Sequence, residues 1–439
     1  MINDLLLKVI SFDFFKAKQD ANKIQWDSFD SISKLQEDKF LRLISHARRN
    51  VPYYSKVLKN HSFSSIKDLQ KIPFLSKELI RKKNSQLRAT NLPKSRFKKN
   101  STSGSTGAAM HFYSDKKTDV KRHACSIRGD SWTGWSFGEP IVIIWGALID
   151  TNKSKGFKDK LINSPLLFNT TILSSFNMKE SDIERYIKII NKKKPQLIIG
   201  YPSSLEYFSK YIIKKGIQVY KPRGVITGGE SLHDYQRNTI QTAFKSMVLN
   251  RYGCRDVGHI ANECEKQNGL HISMDHVIVE VVNKKGDICK PGEIGEVVVT
   301  DLDNFAFPFI RYKIGDIAIQ SNKTCSCGRG FSLLEKVEGR SFDLIIGTNG
   351  NRVPGTYFTL LTRNRLKNII QFQIIQKEIS TILLNIIVNK GFGKKEEKII
   401  DDLFKEKLGQ DTQIQIEIVD SIPTTKSGKF RWVISEIGK

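Results

Sequence analysis

The 439 residues carry 71 Lys and Arg against 45 Asp and Glu, a formal net charge of +26, with 39% hydrophobic and 26% charged residues. A chain of this length buries a large core and divides into two or three domains; with no apolar run near the roughly 18 residues that span a bilayer, and no basic segment before its short apolar start, it is expected in the cytoplasm. The basic excess is spread through every segment among many Ile and Asn, with no aromatic-interleaved patch, so nucleic acid is not expected as a partner and the charge points to anionic cofactors or peripheral membrane contact.

Leu5, Leu6, Leu7, Val9, Ile10, Phe12, Phe14 and Phe15 give the first twenty residues an amphipathic helical pattern, its apolar face docked on the protein's own body or touching a membrane. Asp38 to Leu58 reads as helix, broken near Pro52. The basic run Arg96, Lys98, Lys99 then leads into Ser101 to Gly107, Ser-Thr-Ser-Gly-Ser-Thr-Gly. Glycines let the backbone approach a ligand closely, and hydroxyls and free amides suit phosphate oxygens; a flexible linker is the other reading. No lysine follows Gly107, so this is not a Walker A loop.

Asp119 to Trp132 is predicted helical and Pro140 to Ala147 a buried strand. Three helix-then-strand rounds follow, Ser181 to Lys193 with Gln196 to Gly200, Leu205 to Lys215 with Gly224 to Thr227, and Tyr235 to Phe244 with Met247 to Asn250. The alternation predicts an α/β fold with a parallel sheet and ligands beyond the carboxyl ends of its strands. Thr227 to Glu230, with Gly228 and Gly229, and Arg251 to Asp256 both fall there. From His276 the pattern turns to strands, His276 to Val282 and Gly295 to Thr300, a β-rich subdomain. A boundary near Arg340 divides 1–339 from a small α+β domain, 340–439, built from Ile374 to Gln376, Ser380 to Val388, the helix Lys394 to Leu408 and Gln413 to Val419.

Five stretches in this order carry a resemblance: Ser101 to Gly107, Arg251-Tyr252-Gly253 with Asp256, Tyr312-Lys313-Ile314-Gly315-Asp316, Gly339-Arg340 with Asp343, and Pro423-Thr424-Thr425-Lys426-Ser427-Gly428-Lys429. Together they resemble the signatures of the adenylate-forming ligases, which include acyl- and aryl-coenzyme A ligases, luciferases and peptide-synthetase adenylation domains. Within that superfamily the chain is most similar to the phenylacetate-coenzyme A ligase branch, with its CapK-like proteins associated with capsular polysaccharide synthesis. The likeness begins at about His46, in His-Ala-Arg-Arg-Asn-Val-Pro-Tyr-Tyr.

The resemblance implies an ATP-dependent acid ligase with a large N-terminal domain and a small mobile C-terminal one. Ser103, Gly104, Ser105, Thr106 and Gly107 would hold phosphates; Tyr252, with Gly228, Gly229, Glu230 and Gly253 nearby, would take adenine; Asp316 would accept the ribose hydroxyls and Arg340 assist. Asp256 stands where the family binds Mg2+ through a glutamate, and Lys429 matches the catalytic lysine that neutralises charge on the reacting carboxylate and α-phosphate. Coenzyme A is the expected acceptor of the acyl group from a small carboxylic acid; an amine, such as an amino sugar in capsule or O-antigen assembly, is the second, and a non-catalytic nucleotide-binding relative is a third. The chain departs from the pattern at Asp256, at Ile314 in place of Thr, at Ala108 and Ala109 in place of Pro-Lys, and at Phe342 where the hinge aspartate or lysine is usual.

Six cysteines suit a reducing compartment better than a disulfide scaffold. Cys264, His271, Cys325 and Cys327 form a structural zinc set or two unrelated thiol pairs. Similar Cys/His sets in the phenylacetate-ligase branch favour zinc. Trp132, Trp135, Trp145, Tyr201 and Ser204 are candidates for the acid pocket, with core packing the other reading of each.

Overall fold

The computed structural model describes residues 12–102, 110–146, 169–175, 178–340, 344–354, 358, 366, 368–423, 431, 433–435 and 437. Two compact units emerge: 1–314 with 318–337, and 315–317 with 338–439.

In the first unit, helices Phe12–Ile24 (α1), Phe29–Asn50 (α2), Pro52–Val57 (α3) and Lys77–Lys82 (α4) precede the hairpin Lys98–Ser101 (β1) and His111–Ser114 (β2). Helix α2 starts nine residues before the expected Asp38, because Ser28 caps it by accepting from the Ser31 amide. Pro52 interrupts it as expected and opens α3. Phe14, Ala17 and Ala21 of α1 are buried, the two alanines against Ala124 of helix Lys116–Ser131 (α5). No helix among the described residues is long and apolar enough to cross a membrane.

After Ile141–Trp145 (β3) and Thr170–Ser174 (β4), helices Glu180–Lys193 (α6), Pro202–Lys215 (α7) and Asp234–Phe244 (α8) alternate with Leu197–Gly200 (β5), Gly224–Gly228 (β6) and Met247–Cys254 (β7). Strands β4-β3-β5-β6-β7 pair in parallel. The apolar runs of β3, β5 and β6 suit strands covered on both faces. Antiparallel Gly258–Glu263 (β8) and Leu270–Ile272 (β9) follow. Val277–Val282 (β10), Ile294–Asp301 (β11), Tyr312–Gln320 (β12) and Leu333–Arg340 (β13) complete the expected β-rich part. It is no detached layer: among the described residues eleven strands join in one sheet, β10-β11-β12-β13-β9-β8-β7-β6-β5-β3-β4.

The second unit has the hairpin Leu344–Ile346 (β14) and Arg352–Pro354 (β15), and a sheet β18-β17-β16-β19 from Gln413–Ile418 (β18), Thr381–Val388 (β17), Ile369–Glu378 (β16) and Val433–Ser435 (β19). Helix Lys394–Leu408 (α9) brings Ile400, Phe404 and Leu408 to the core of Phe372, Ile374, Ile382, Leu384 and Ile386. The buried Gln376 amide ties β14 to β16, donating to the Ile346 carbonyl at 2.7 Å and accepting from the Ile346 amide at 2.9 Å.

Candidate active site and metal centre

Strand β6 ends in Gly228, paired with Arg251 of β7. Gly229 follows at φ +79°, where a Cβ would come within 2.9 Å of the Tyr201 ring and 3.4 Å of Trp145. Only glycine fits both the backbone and the space. Those two rings lie 4.0 Å apart between centroids, at the carboxyl ends of β5 and β3. Glu230 accepts from the Ser203 amide at 3.1 Å, an anion at the first turn of α7.

Arg251, Tyr252 and Gly253 were expected beyond the strand end, but β7 runs on through them to pair with β8. The carboxyl-end turn therefore falls later, at Arg255 to Val257, and Asp256 sits in it. Tyr252, opposite Ala261, is buried. Asp256 is buried as well, and its Oδ2 accepts the Tyr312 hydroxyl at 2.6 Å. Tyr312 belongs to an expected motif but had no expected role; its reach to Asp256 crosses 56 positions of chain, which no local pattern reveals.

Asp316 lies buried on β12. Arg340 ends β13. Ser103, Gly104, Ser105, Thr106 and Gly107, with Phe342 and Lys429, lie outside the described residues. The ladder that frames the first of these segments closes with the Thr102 amide donating to the Met110 carbonyl at 3.0 Å.

Cys264, His271, Cys325 and Cys327 come together, their ligand atoms all within 4.8 Å of one another. Cys264 Sγ is 3.6 Å from Cys325 Sγ, and Cys327 Sγ is 3.4 Å from His271 Nε2. Cys264, His271 and the turn of Cys325 and Cys327 come from three separate places in the first unit and converge, so the alternative of two unrelated thiol pairs falls away. Tetrahedral zinc with Zn–S bonds of about 2.3 Å would space its sulfurs by about 3.8 Å, close to the 3.6 Å between Cys264 and Cys325. Burial pushes the Cys264 thiol up to about 12 and, with Arg329 nearby, holds His271 down to about 4.

Trp132 belongs beside this cluster and not to an acid pocket: its ring meets His271 edge-on at 5.5 Å, and its Nε1 donates to Gln25 at 2.7 Å. Trp135 is core, its Nε1 donating to the Glu139 carbonyl at 3.1 Å. The Trp145–Tyr201 pair packs beside Gly229, with Tyr201 buried.

The CapK C-terminal domain family model matches residues 345–436. Protein CapK of Staphylococcus aureus is 25% identical over 419 residues, covering 93% of this chain and 90% of its own length. The phenylacetate-coenzyme A ligase of Thermus thermophilus is 25% identical over 338 residues, 74% of each chain. The chain is a homologue of CapK and the phenylacetate-coenzyme A ligases. Its fold is that of the adenylate-forming ligases: a 2-hydroxyisobutyryl-CoA ligase in a postadenylation state superposes with a TM-score of 0.75 at 15% identity, covering 94% of this chain and 92% of that one. As a CapK homologue with the mixed α/β fold of that superfamily, it bears out the resemblance read from its motifs.

Proposed function

We propose that this protein, an acid ligase of the AMP-forming class, activates a small carboxylic acid with ATP and passes the acyl group from the adenylate to coenzyme A. The observation that carries the reading is the pair of turns that follow β6 and β7: Gly228 and Gly229 open one, and the other holds a buried Asp256 whose carboxylate accepts the Tyr312 hydroxyl. Relatives with activity of this kind match three quarters of the chain or nearly so.

In the first half-reaction the carboxylate oxygen attacks the α-phosphorus and pyrophosphate leaves, a step governed by positioning and charge neutralisation. Domain 1–339 would supply the nucleotide site: Ser103, Ser105, Thr106 and the amides of Gly104 and Gly107 for the phosphates, Tyr252 for adenine, Asp316 for ribose. Arg340 would open the small domain, 340–439, whose Lys429 places an ammonium on the growing negative charge. In the second, the thiol of coenzyme A attacks the acyl carbon and AMP leaves.

Magnesium takes oxygen donors and commonly binds one or two carboxylates together with substrate phosphates. Asp256, a buried carboxylate held in a fixed orientation, fits that requirement and would supply the protein's oxygen; the ion itself would offset phosphate charge. The Cys264, His271, Cys325 and Cys327 set fits zinc in a structural role.

A second acceptor is favoured by one observation, the likeness to CapK along 93% of the chain. Under it the adenylate passes to an amino sugar in capsule or O-antigen assembly. Pyrophosphate release with ATP and a panel of acids tests the first half-reaction, and coenzyme A or amino sugars added in turn separate the acceptors. Nucleotide binding without release for any acid would leave a non-catalytic relative. Either ligase would work in the cytoplasm, where ATP and coenzyme A are found.

A further inference from the structure

The turn that carries Asp256 is held from behind by buried side chains with no place in the reaction. Arg122 of α5 donates through Nη2 to the Asp256 carbonyl at 2.7 Å and to Asp301 Oδ2 at 2.7 Å. The stem of Arg122 runs so close to Gly258 that a Cβ there would meet its Cγ and Cδ at 2.8 Å. One residue along, the Val257 carbonyl faces His276 Nε2 at 3.1 Å, and His276 Nδ1 faces Asp303 Oδ2 at 2.8 Å. Lys39 of α2 closes the far side, 2.6 Å from Asp303 Oδ1. The Asp303 amide donates to Asp301 Oδ1 at 3.0 Å, which joins the two arms.

Two successive backbone carbonyls are thus each gripped by a buried donor, and each donor is backed by its own carboxylate. Ordinary turns satisfy their carbonyls with water or local backbone at far lower desolvation cost, and buried ion pairs are weak contributors to net stability. Such an arrangement gains fixed geometry instead, as supporting partners do for metal-binding carboxylates elsewhere. We infer that Arg122 and His276 are positioning residues that fix the Asp256 carboxylate for the divalent cation accompanying the nucleotide. This rests on the proposed role of Asp256, and it accounts for a short acid serving there: a side chain with less reach needs a turn with less freedom.

The test reads metal directly, by electron paramagnetic resonance of Mn2+ titrated into the full chain with α,β-methylene-ATP present. The double variant Arg122→Met with Asp301→Asn removes one arm without leaving a buried charge alone. Mn2+ binding should weaken at least about 10-fold while binding of the nucleotide without metal changes less than about 2-fold. As a control, Arg128→Met with Asp275→Asn removes another largely buried pair, its arginine on the same helix, that makes no hydrogen bond to residues 255–257, and its Mn2+ affinity should stay within about 2-fold of the parent. Should the first double variant fail to fold, Arg122→Lys keeps a charge on the Asp301 side, but its ammonium is one bond short of the Nη2 that meets both acceptors, and it should weaken Mn2+ binding in the same direction. Parent-like Mn2+ affinity in a folded Arg122 variant, or equal weakening in the Arg128 control, overturns the inference. Parent-like affinity in Asp256→Asn removes instead the magnesium role of Asp256, a separately readable failure.

Discussion

Stripping zinc from the Cys264, His271, Cys325 and Cys327 cluster should loosen the first unit by several kcal/mol. Cys264 and Cys325 are 61 positions apart, and a cross-link closing a loop of that length removes about 4 kcal/mol of chain entropy from the unfolded state. Mass action gives a similar figure: an ion bound only by the folded form, with free metal a thousandfold above its dissociation constant, adds about 4.1 kcal/mol. The assay is urea unfolding under reducing conditions with and without a zinc chelator, alongside metal content by mass spectrometry. Cys325→Ser should reproduce the chelator's effect, whereas Cys125→Ser, a buried cysteine outside the cluster, should leave the chelator's effect intact. A shift below about 1 kcal/mol on chelation, or metal far below one equivalent in freshly purified protein, refutes the assignment.

Lys429→Ala should lower pyrophosphate release at least about 10-fold, or 1.4 kcal/mol in the barrier, with nucleotide binding by calorimetry nearly unchanged. Tyr312→Phe should destabilise the first unit by about 1–3 kcal/mol in urea, the range for taking a partner from a buried polar group, and should weaken metal-nucleotide binding. His276 is buried, which pulls its pKa down, but Asp301 and Asp303 outweigh this and leave it above its ordinary 6.5. A histidine raised on folding adds stability fully present below its unfolded value and lost as pH rises through the folded one. Thermal melts should therefore show a decline above pH 6.5 that is smaller in His276→Gln, and equal slopes for the two proteins would contradict it.

Helix Lys394–Leu408 was legible to the residue, because a glycine stands at each end and apolar residues recur at helical spacing between them. Strand β7 was half legible: Met247 to Leu249 is apolar, but Arg251-Tyr252-Gly253 is charged and glycine-containing, and it reads as a loop until β8 is seen pairing with it. The tie of Gly228 to Arg251 was foreshadowed, since both stretches fall at carboxyl ends of neighbouring strands. Arg122, His276, Asp301 and Asp303 were not, since Arg122 meets Asp301 across 179 positions and burial of each charge depends on partners from other elements. The Cys/His set lay between these cases: its residue types announced a metal, while its spacing could not say that the two halves meet.

The net charge of +26 takes a different meaning once the buried charges are located. Arg122 pairs with Asp301, Arg128 with Asp275, Arg237 with Glu263, Arg251 with Asp130, and Arg311 with Glu280, each pair largely withdrawn from solvent. These pairs cancel one for one, so they contribute nothing to the excess, which resides in the other Lys and Arg, among them the exposed Lys94, Arg96 and Lys99. Charges on the surface are screened beyond about 8 Å at physiological salt, and they cannot hold a substrate seated in a cleft. What they can do is raise the rate at which a polyanion arrives. ATP and coenzyme A, the two charged reactants of the proposed chemistry, are polyanions. Their association rates should accordingly fall with added salt while the rate of the chemical step, set by groups inside the site, holds constant.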